Sequence, residues 1–203
     1  LYDFLRQVNR KDKNEQENLF GFKGEKGLVG FDYLVKIYEK NWLGEWYENK
    51  KQKEEYYKLG KRIIKDFYNE FSKNHPKILK INNEFALEMP FNFKINGYTL
   101  RGVIDRIDES DGRAKIIDYK TGNAKEKLDL DEKEQLLIYQ IAAKEVFKIS
   151  PKELVYHYLN DNNKILRCGF NFVYSSRLHR LNRLKPEWRV IRGLKPAGII
   201  YAK

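Results

Sequence analysis

The spacing of apolar residues changes at Pro76 from a helical period to a strand-like period, and this change limits the fold more than any other feature of the chain. Before Pro76, apolar and aromatic residues recur every three or four positions over 31–47 and 51–71, which predicts two helices. After Pro76, apolar residues alternate with polar ones, which predicts strands. The expected strands cover 83–94, 98–108 and 113–120.

Two tight-turn signals separate these three strands. Asn96-Gly97 and Asp111-Gly112 are typical of two-residue hairpin loops, so the strands should form an antiparallel meander. A helix is expected next at 132–147, with Asp131 as its N-cap and Glu134 completing a capping box.

A further strand is expected at 154–159, after this helix. A helix between two strands of one sheet is a crossover, so the order of elements predicts an α/β domain with one mixed sheet flanked by helices. The aromatic residues before Pro76 suit either a hydrophobic core or a base-stacking surface, and their helical spacing favours the core.

Composition excludes several classes of protein. Hydrophobic residues make up 41% and aromatic residues 14% of the 203 residues, which excludes a disordered chain. No apolar run reaches the roughly 18–20 residues that a membrane span needs, and no signal peptide is visible. A cytoplasmic protein without a membrane partner is therefore expected. The single cysteine, Cys168, excludes an internal disulfide and a four-cysteine iron–sulfur cluster within one chain.

The net charge of +11 is distributed unevenly. Residues 164–203 carry a net charge of +9, whereas residues 1–163 carry only +2, so the basic excess does not mark the body as DNA-binding. Three interpretations of 164–203 stay open: a tail for the DNA backbone, a linker or partner-binding segment that is disordered alone, and a segment that is not native coding sequence. The first rests on Arg177, Arg180 and Arg183 at helical spacing.

Charged residues come together at the ends of the second and third expected strands, away from the turn that joins them. Asp118 and Lys120 lie two positions apart, so their side chains point to the same face and start about 6–7 Å apart. Counting back through the Asp111-Gly112 turn places Asp105 beside Asp118. Two aspartates that lie close together repel each other unless a cation lies between them.

Two carboxylates and a lysine in one patch suit few chemical tasks. Oxygen ligands favour a hard ion such as Mg2+ or Mn2+, which can make a bound water more acidic and offset charge on a scissile phosphate. Lys120 can then orient the water, act as its base or stabilise the transition state, and the sequence leaves these roles open. Gln135 and Tyr139, four positions apart on the crossover helix, present hydrogen-bonding groups on one face.

A structural interpretation accounts for the same residues without chemistry. Asp105 would then pair with Arg106 or Arg101 at the surface, and Gln135 and Tyr139 would be a satisfied buried polar pair. The chain would be a small α/β binding module whose acidic residues pair with its lysines.

Three segments carry a resemblance to a known family. They resemble the RecB-type branch of the PD-(D/E)XK nucleases, in particular the nuclease domain that follows superfamily 1 helicases of the UvrD/RecB kind. The segments are 102–108 (GVIDRID), 117–122 (IDYKTG) and 135–139 (QLLIY), and the similarity runs over about 2–160. The resemblance implies a restriction-endonuclease-like core within the α/β fold.

The resemblance also implies roles for individual residues. Lys120 would be the catalytic lysine, and Gln135 and Tyr139 would support the site and contact DNA. Glu84 resembles a further glutamate of the family, on the strand before the hairpin. The implied ligands of Mg2+ or Mn2+ are Asp105, Asp118 and the backbone carbonyl of Tyr119.

The chain departs from the family in two respects. The family has a histidine in a pattern like FGxxxHxxL, and neither His75 nor His157 fits it, so we expect the chain to begin just downstream of that histidine. Some relatives hold an iron–sulfur cluster with four cysteines, which is not expected here. The expected domain organisation is an N-terminal helical part at 1–75, a catalytic core at 76–163 and a basic tail at 164–203.

The function implied by the resemblance is Mg2+-dependent hydrolysis of DNA, by exonuclease or endonuclease action. The domain would act with a superfamily 1 helicase, in cis or in trans, in DNA repair or recombination at the nucleoid. The alternative is a catalytically inactive DNA-binding or scaffolding domain of the same fold.

Overall fold

Six stretches of the chain, grouped in two units, are described by the computed structural model. They are residues 1–10, 30–45, 47–95, 98–110, 112–168 and 199–202. The first unit comprises Leu1–Pro76 and Leu159–Asn163, and the second comprises Lys77–Tyr158 and Lys164–Lys203. No helix in these stretches is both long enough and apolar enough to cross a bilayer.

Helices build the first unit. They are α1 (Tyr2–Arg10), α2 (Phe31–Lys40) and α3 (Lys50–Asn74). The rings of Phe4 and Phe71 meet edge to face at 5.5 Å, and both side chains are buried together with Leu34 and Phe67. Part of the aromatic pattern therefore does form core, as the helical spacing predicted, although Tyr56 is 52% exposed.

The prediction of one helix over 31–47 is wrong at its C-terminal end. The helix ends at Lys40, and the next residue, Asn41, caps it: its side-chain amide donates to the carbonyl of Ile37, and its backbone leaves the helical conformation with a ψ of 7°. Trp42, which continues the helical spacing, stacks on Tyr47 at 5.3 Å beyond the helix, and Trp46, the next residue of the pattern, lies outside the described residues. Aromatic side chains that pack locally can thus imitate a helical period.

Helix α3 confirms the expected helix at 51–71 and extends it at both ends. Its N-cap, Asn49, accepts a hydrogen bond from the backbone N–H of Gln52. His75 ends the helix with a φ of 40°, in the left-handed region, because the residue before a proline is disfavoured in the helical conformation.

A mixed sheet forms the second unit. The strands of this unit are β1 (Lys77–Ile78), β2 (Lys80–Ile81), β3 (Glu84–Phe85), β4 (Leu87–Ile95), β5 (Tyr98–Ser110), β6 (Arg113–Lys120), β7 (Pro151–Tyr158), β8 (Lys164–Cys168) and β9 (Ile199–Ala202). The main path of the sheet runs β1-β5-β6-β7-β8, and β4 and β9 also pair with β5. Strands β2 and β3 form a separate two-stranded sheet. The helix α4 (Leu130–Glu145) joins β6 to β7.

The expected meander and crossover are confirmed. Strands β4, β5 and β6 pair antiparallel, and β7 pairs parallel to β6 after the crossover helix. Residues 96, 97 and 111 lie outside the described residues, but the pairs Ile95–Tyr98 and Ser110–Arg113 show that two residues connect each hairpin.

The expected strand at 83–94 is divided in the structure, and two short strands precede it. Asn82 and Asn83 both have positive φ, 52° and 67°, which is the backbone conformation of a two-residue hairpin turn. They join β2 to β3. The expected strand therefore becomes β3 and the longer β4.

The start of α4 is two residues earlier than predicted. Asp129, not Asp131, is the N-cap, and it forms the capping box with Glu132 rather than Glu134. The two hydrogen bonds of this box are 2.9 and 3.0 Å long. The sequence contains the same Asp-x-x-Glu spacing twice, and the helix begins at the first copy, directly after the buried Leu128.

Helix α4 covers one face of the sheet. The core beneath it consists mainly of buried side chains of the helix and of strands β4 to β8, with an aromatic contact between Tyr139 and Phe91 at 6.1 Å. Of the apolar residues that predict this helix, Leu136, Leu137 and Ile141 are buried, whereas Val146, just beyond its end, is only partly buried. The helix thereby brings its polar residues to the end of β6.

Residues 164–203 are described only in part. Residues 164–168 form β8, antiparallel to β7, and residues 199–202 form β9, parallel to β5. The three arginines at helical spacing lie outside the described residues, so the interpretations of the basic tail stay predictions.

Candidate active site

The register of β5 and β6 places Asp105 and Asp118 opposite each other. The last ladder pair toward this end is Arg106 with Ile117, and the two aspartates are the next residue of each strand. The backbone N–H of Tyr119 donates a 2.8 Å hydrogen bond to Asp105 Oδ2. The carboxylate of Asp105 therefore accepts the hydrogen bond from Tyr119 that a backbone carbonyl of β5 would accept if the ladder continued.

Asp118 is a buried carboxylate with one fully bonded oxygen. Asp118 is 2% exposed, and its Oδ1 accepts hydrogen bonds from Tyr139 (3.0 Å) and Gln135 (3.3 Å). Oδ2 lies 2.8 Å from the ammonium of Lys120 and forms an ion pair with it. Apart from this ammonium, no described residue donates a hydrogen bond to Oδ2.

The environment raises the pKa of Asp118 to about 6. Burial is the main cause, because it disfavours the charged carboxylate, and the neighbouring charge of Asp105 adds to it. Lys120 and the hydroxyl of Tyr139 act in the opposite direction. A second cation at Oδ2 would therefore stabilise the ionised form.

Lys120 lies at the open side of the site. Its side chain is 28% exposed, and besides the ion pair with Asp118 it donates a 3.2 Å hydrogen bond to Gln135 Oε1. Its ammonium also lies over the ring of Tyr156, 4.6 Å from the centroid. The amine is held in place yet accessible to solvent.

Gln135 and Tyr139 face the site from one side of α4, as their spacing predicted. Gln135 Nε2 donates to the hydroxyl of Tyr139 at 2.8 Å, and that hydroxyl donates to Asp118. Burial, and then the charge of Asp118, hold the pKa of Tyr139 well above its usual range, so the hydroxyl keeps its proton. Gln135 and Tyr139 thus form a buried, hydrogen-bonded pair, and both also donate hydrogen bonds to Asp118.

The donor set fits a hard divalent cation. The two carboxylates offer only oxygen atoms, which Mg2+ and Mn2+ prefer, and Oδ2 of Asp118 has the ammonium of Lys120 as its partner among the described residues, which leaves a lone pair for a metal. In the part of the chain that the structure describes, no three His, Cys, Asp or Glu side chains form a metal-binding group. Mg2+ is commonly bound by one or two carboxylates with water and substrate oxygens, so two carboxylates are sufficient.

Arg106 does not pair with Asp105, contrary to the structural interpretation of the sequence. Its guanidinium binds Asp108 through both carboxylate oxygens, and Arg106 and Asp108 are 5% and 6% exposed. Arg106 Nη1 also donates to the hydroxyl of Tyr119 at 2.5 Å. The ring of Tyr119 packs 5.4 Å from that of His157, which accounts for this buried histidine.

Glu84 is not brought to this cluster. It is exposed and lies in β3, in the separate two-stranded sheet. Glu88 of β4 is the acidic residue that borders Asp105, because the pairs Leu87–Arg106 and Met89–Ile104 bracket these two residues on neighbouring strands. Glu88 also has a φ of 51°, which is uncommon for a residue with a side chain and frequent at functional sites.

Two residues at the site were missed from the sequence, and only one of them left a signal. Counting back through the Asn96-Gly97 turn would have placed Glu88 opposite Asp105. Tyr156 lies beside Asp118 in the parallel ladder between β6 and β7. No tight turn fixes the register of strands joined by a crossover helix, so Tyr156 could not be placed from the sequence.

Comparison with known proteins agrees with this geometry. A sequence profile described as the PD-(D/E)XK nuclease superfamily matches residues 25–192, which is most of the chain. The chain belongs to the PD-(D/E)XK nuclease superfamily, and the expected α/β fold with a mixed sheet flanked by helices is confirmed. Nucleases of this superfamily generally use divalent metal ions.

One curated relative shares a short segment with the chain. The Gene 69 protein of Mycobacterium phage L5 is 44% identical over 39 residues, which are 19% of this chain and 13% of the relative. The chain therefore spans only a small part of that protein's length.

Proposed function

We propose that the chain is a metal-dependent deoxyribonuclease that hydrolyses phosphodiester bonds with Asp105, Asp118 and Lys120. One observation carries the proposal: a buried carboxylate, whose Oδ2 has the Lys120 ammonium as its partner among the described residues, lies opposite a second carboxylate. Two carboxylates and one lysine leave the cluster with an excess of negative charge, which a divalent cation would offset.

Asp105, Asp118 and the backbone carbonyl of Tyr119 are the proposed metal ligands. The N–H of Tyr119 points toward Asp105, and in an extended strand the C=O of the same residue points to the same edge. This direction supports the carbonyl as a ligand. When bound, Mg2+ or Mn2+ supplies a more acidic water and neutralises charge on the phosphate.

Lys120 is the proposed catalytic lysine. It is the positive side chain that combines contact with Asp118 and access to solvent, so it can reach both the attacking water and a phosphate oxygen. Gln135 and Tyr139 hold Asp118 through Oδ1, which leaves Oδ2 directed away from their hydrogen bonds. These contacts fix the carboxylate before substrate arrives, and such preorganisation is a general source of catalysis.

We further propose a RecB-like domain that acts with a superfamily 1 helicase in DNA repair or recombination. The support is the resemblance of 102–108, 117–122 and 135–139, together with the net charge of only +2 over 1–163. A nearly neutral body suits a domain that receives DNA from a tethered partner, because unaided capture of DNA is driven mainly by positive charge.

A catalytically inactive DNA-binding or scaffolding domain is the second candidate. The observation in its favour is the small number of acidic groups at the site: in the described residues, no three side chains of the metal-binding types come together. The two candidates differ in their response to metal, since an inactive domain would bind DNA without cutting it.

Metal-dependent cleavage tests the proposal. The chain is incubated with end-labelled linear duplex and single-stranded DNA in EDTA, Mg2+ or Mn2+, and the products are resolved on a denaturing gel. We expect cleavage in Mg2+ or Mn2+ and none in EDTA. Asp105→Asn and Asp118→Asn should each reduce the rate at least 100-fold.

The matched control is Asp66→Asn, which neutralises an aspartate of α3 in the other unit. It should cut at the wild-type rate. Cleavage that persists in EDTA, or that survives both site substitutions, would refute the proposed chemistry. Metal-independent DNA binding without any cleavage would favour the inactive domain.

A further inference from the structure

Tyr156 is a fully buried tyrosine that contacts two of the proposed site residues. It lies on β7, beside Asp118 in the parallel ladder, and its exposure is 0%. Its ring lies under the ammonium of Lys120 at 4.6 Å, and its hydroxyl is 2.8 Å from Gln135 Oε1. One side chain therefore contacts the lysine through its ring and the amide through its hydroxyl.

The hydroxyl of Tyr156 supports one orientation of the Gln135 amide. Oε1 of Gln135 accepts from Lys120 and faces the hydroxyl of Tyr156, and Nε2 donates to Asp118 and to Tyr139. Lys120 and Asp118 set this orientation, because an ammonium can only donate and an ionised carboxylate can only accept. Tyr156 shares its single hydroxyl proton between Gln135 Oε1 and the backbone carbonyl of Glu132, each 2.8 Å away. Burial is the main cause that holds the pKa of Tyr156 well above its usual range, so the hydroxyl keeps this proton.

We propose that Tyr156 is a positioning residue that holds Lys120 through its ring and, through Gln135, the carboxylate of Asp118. This inference rests on the proposed nuclease function, because it assigns to Tyr156 a part in arranging those two groups. An aromatic ring attracts a cation that lies over its face. This attraction holds the cation less rigidly than a bidentate ion pair would. The ring thus places the amine over the site while its charge stays available to substrate.

Three substitutions separate the contacts of Tyr156. Tyr156→Phe keeps the ring under Lys120 and removes the hydroxyl that bonds Gln135 and the backbone carbonyl of Glu132, whereas Tyr156→Leu removes the ring as well. Tyr158→Phe is the matched control: it lies on the same strand, and its hydroxyl bonds the side chain of Glu132, which belongs to the same helix. It removes a similar hydroxyl from the same face without touching Lys120 or Gln135.

Single-turnover cleavage in Mg2+ or Mn2+ gives the first readout. We expect Tyr156→Phe to lower the maximal rate about tenfold and Tyr156→Leu about 100-fold, with the DNA concentration at half-maximal rate changed less than twofold. Tyr158→Phe should stay within twofold of wild type. Equal rates for Tyr156→Phe and Tyr158→Phe would overturn the proposal.

A double-mutant cycle with Lys120→Ala distinguishes positioning from general destabilisation. If the ring of Tyr156 acts through Lys120, Tyr156→Leu should cost no more than the about tenfold expected for Tyr156→Phe once the lysine is absent. A tyrosine with only a structural role would lower the cleavage rate by the same factor in the wild-type and the Lys120→Ala backgrounds. Losses that multiply would therefore refute the proposal.

Nuclear magnetic resonance of the Gln135 side-chain amide gives a readout that needs no activity. The signal is assigned by its loss in Gln135→Glu, and its protons should exchange slowly in wild type and Tyr158→Phe but faster in Tyr156→Phe. An unchanged amide in Tyr156→Phe would overturn the proposal even if the rate fell. If wild type cuts no DNA with any metal, the nuclease proposal fails, and this amide measurement alone decides whether Tyr156 orients Gln135.

Discussion

Replacing Asp118 by asparagine should stabilise the metal-free protein. Burial and Asp105 raise the pKa of Asp118 from 3.8 to about 6, so the folded protein holds this proton more tightly than the unfolded chain does. The stabilisation from the protonated form is complete below pH 3.8 and is lost as the pH rises through about 6. At pH 7.5 the ionised carboxylate therefore lowers the stability of the fold.

The size of this effect follows from the pKa difference. One pKa unit corresponds to about 1.4 kcal/mol, so the rise from 3.8 to about 6 corresponds to about 3 kcal/mol at neutral pH. Asparagine has nearly the same shape and cannot ionise. For a chain of about this size, 3 kcal/mol raises the melting temperature by about 6–12 °C.

Denaturant unfolding in EDTA between pH 4 and pH 7.5 measures the effect. The difference in unfolding free energy between Asp118→Asn and wild type should grow by about 2.4 kcal/mol across this range, because part of the effect already lies below pH 4. Adding Mg2+ or Mn2+ should then stabilise wild type but not Asp118→Asn, because only the wild-type site holds the metal.

The matched control is the same substitution at Asp108. Asp108 is also a buried aspartate of the sheet, but it forms an ion pair with Arg106. Removing one partner of a buried pair leaves an uncompensated charge, so Asp108→Asn should destabilise the fold by about 3–5 kcal/mol. A variant Asp118→Asn that is less stable than wild type at pH 7.5 in EDTA, or a difference that does not change with pH, would refute the reasoning.

Two further substitutions test the acidic neighbour of Asp105 and the start of α4. Glu88→Gln should lower the single-turnover cleavage rate at least tenfold, because Glu88 borders Asp105. The control Glu84→Gln should leave the rate within twofold of wild type. Equal effects of the two substitutions would contradict the placement of Glu88. Asp129→Ala removes the N-cap of α4 and should cost about 1 kcal/mol in thermal unfolding, and an unchanged melting temperature would show that the capping box is dispensable.

The meander and its catalytic candidates were predictable because short-range rules determine them. Two-residue turns fix the register of both hairpins, and this register brings Asp105 opposite Asp118. The alternation of side chains along a strand then places Lys120 on the face of Asp118, and the helical repeat places Gln135 and Tyr139 together. Each of these steps spans only a few residues.

The features that the sequence did not predict depend on choices between local alternatives or on long-range register. Asp129 and Asp131 begin equivalent Asp-x-x-Glu patterns, and only packing selects the first. Trp42 extends an apparent helical period, but Asn41 ends the helix before it. Tyr156 reaches the site through the parallel register of β6 and β7, which no turn sequence encodes.

The most direct test of the central claim is the single-turnover cleavage rate of Lys120→Ala beside that of Lys115→Ala. Both lysines lie on β6, and Lys115 pairs with Glu153 instead of a site residue. We predict that Lys120→Ala loses at least 100-fold in rate while it binds Mn2+ and DNA within threefold of wild type, and that Lys115→Ala cuts normally. Equal rates for the two variants, or full cleavage by Lys120→Ala, would contradict the account.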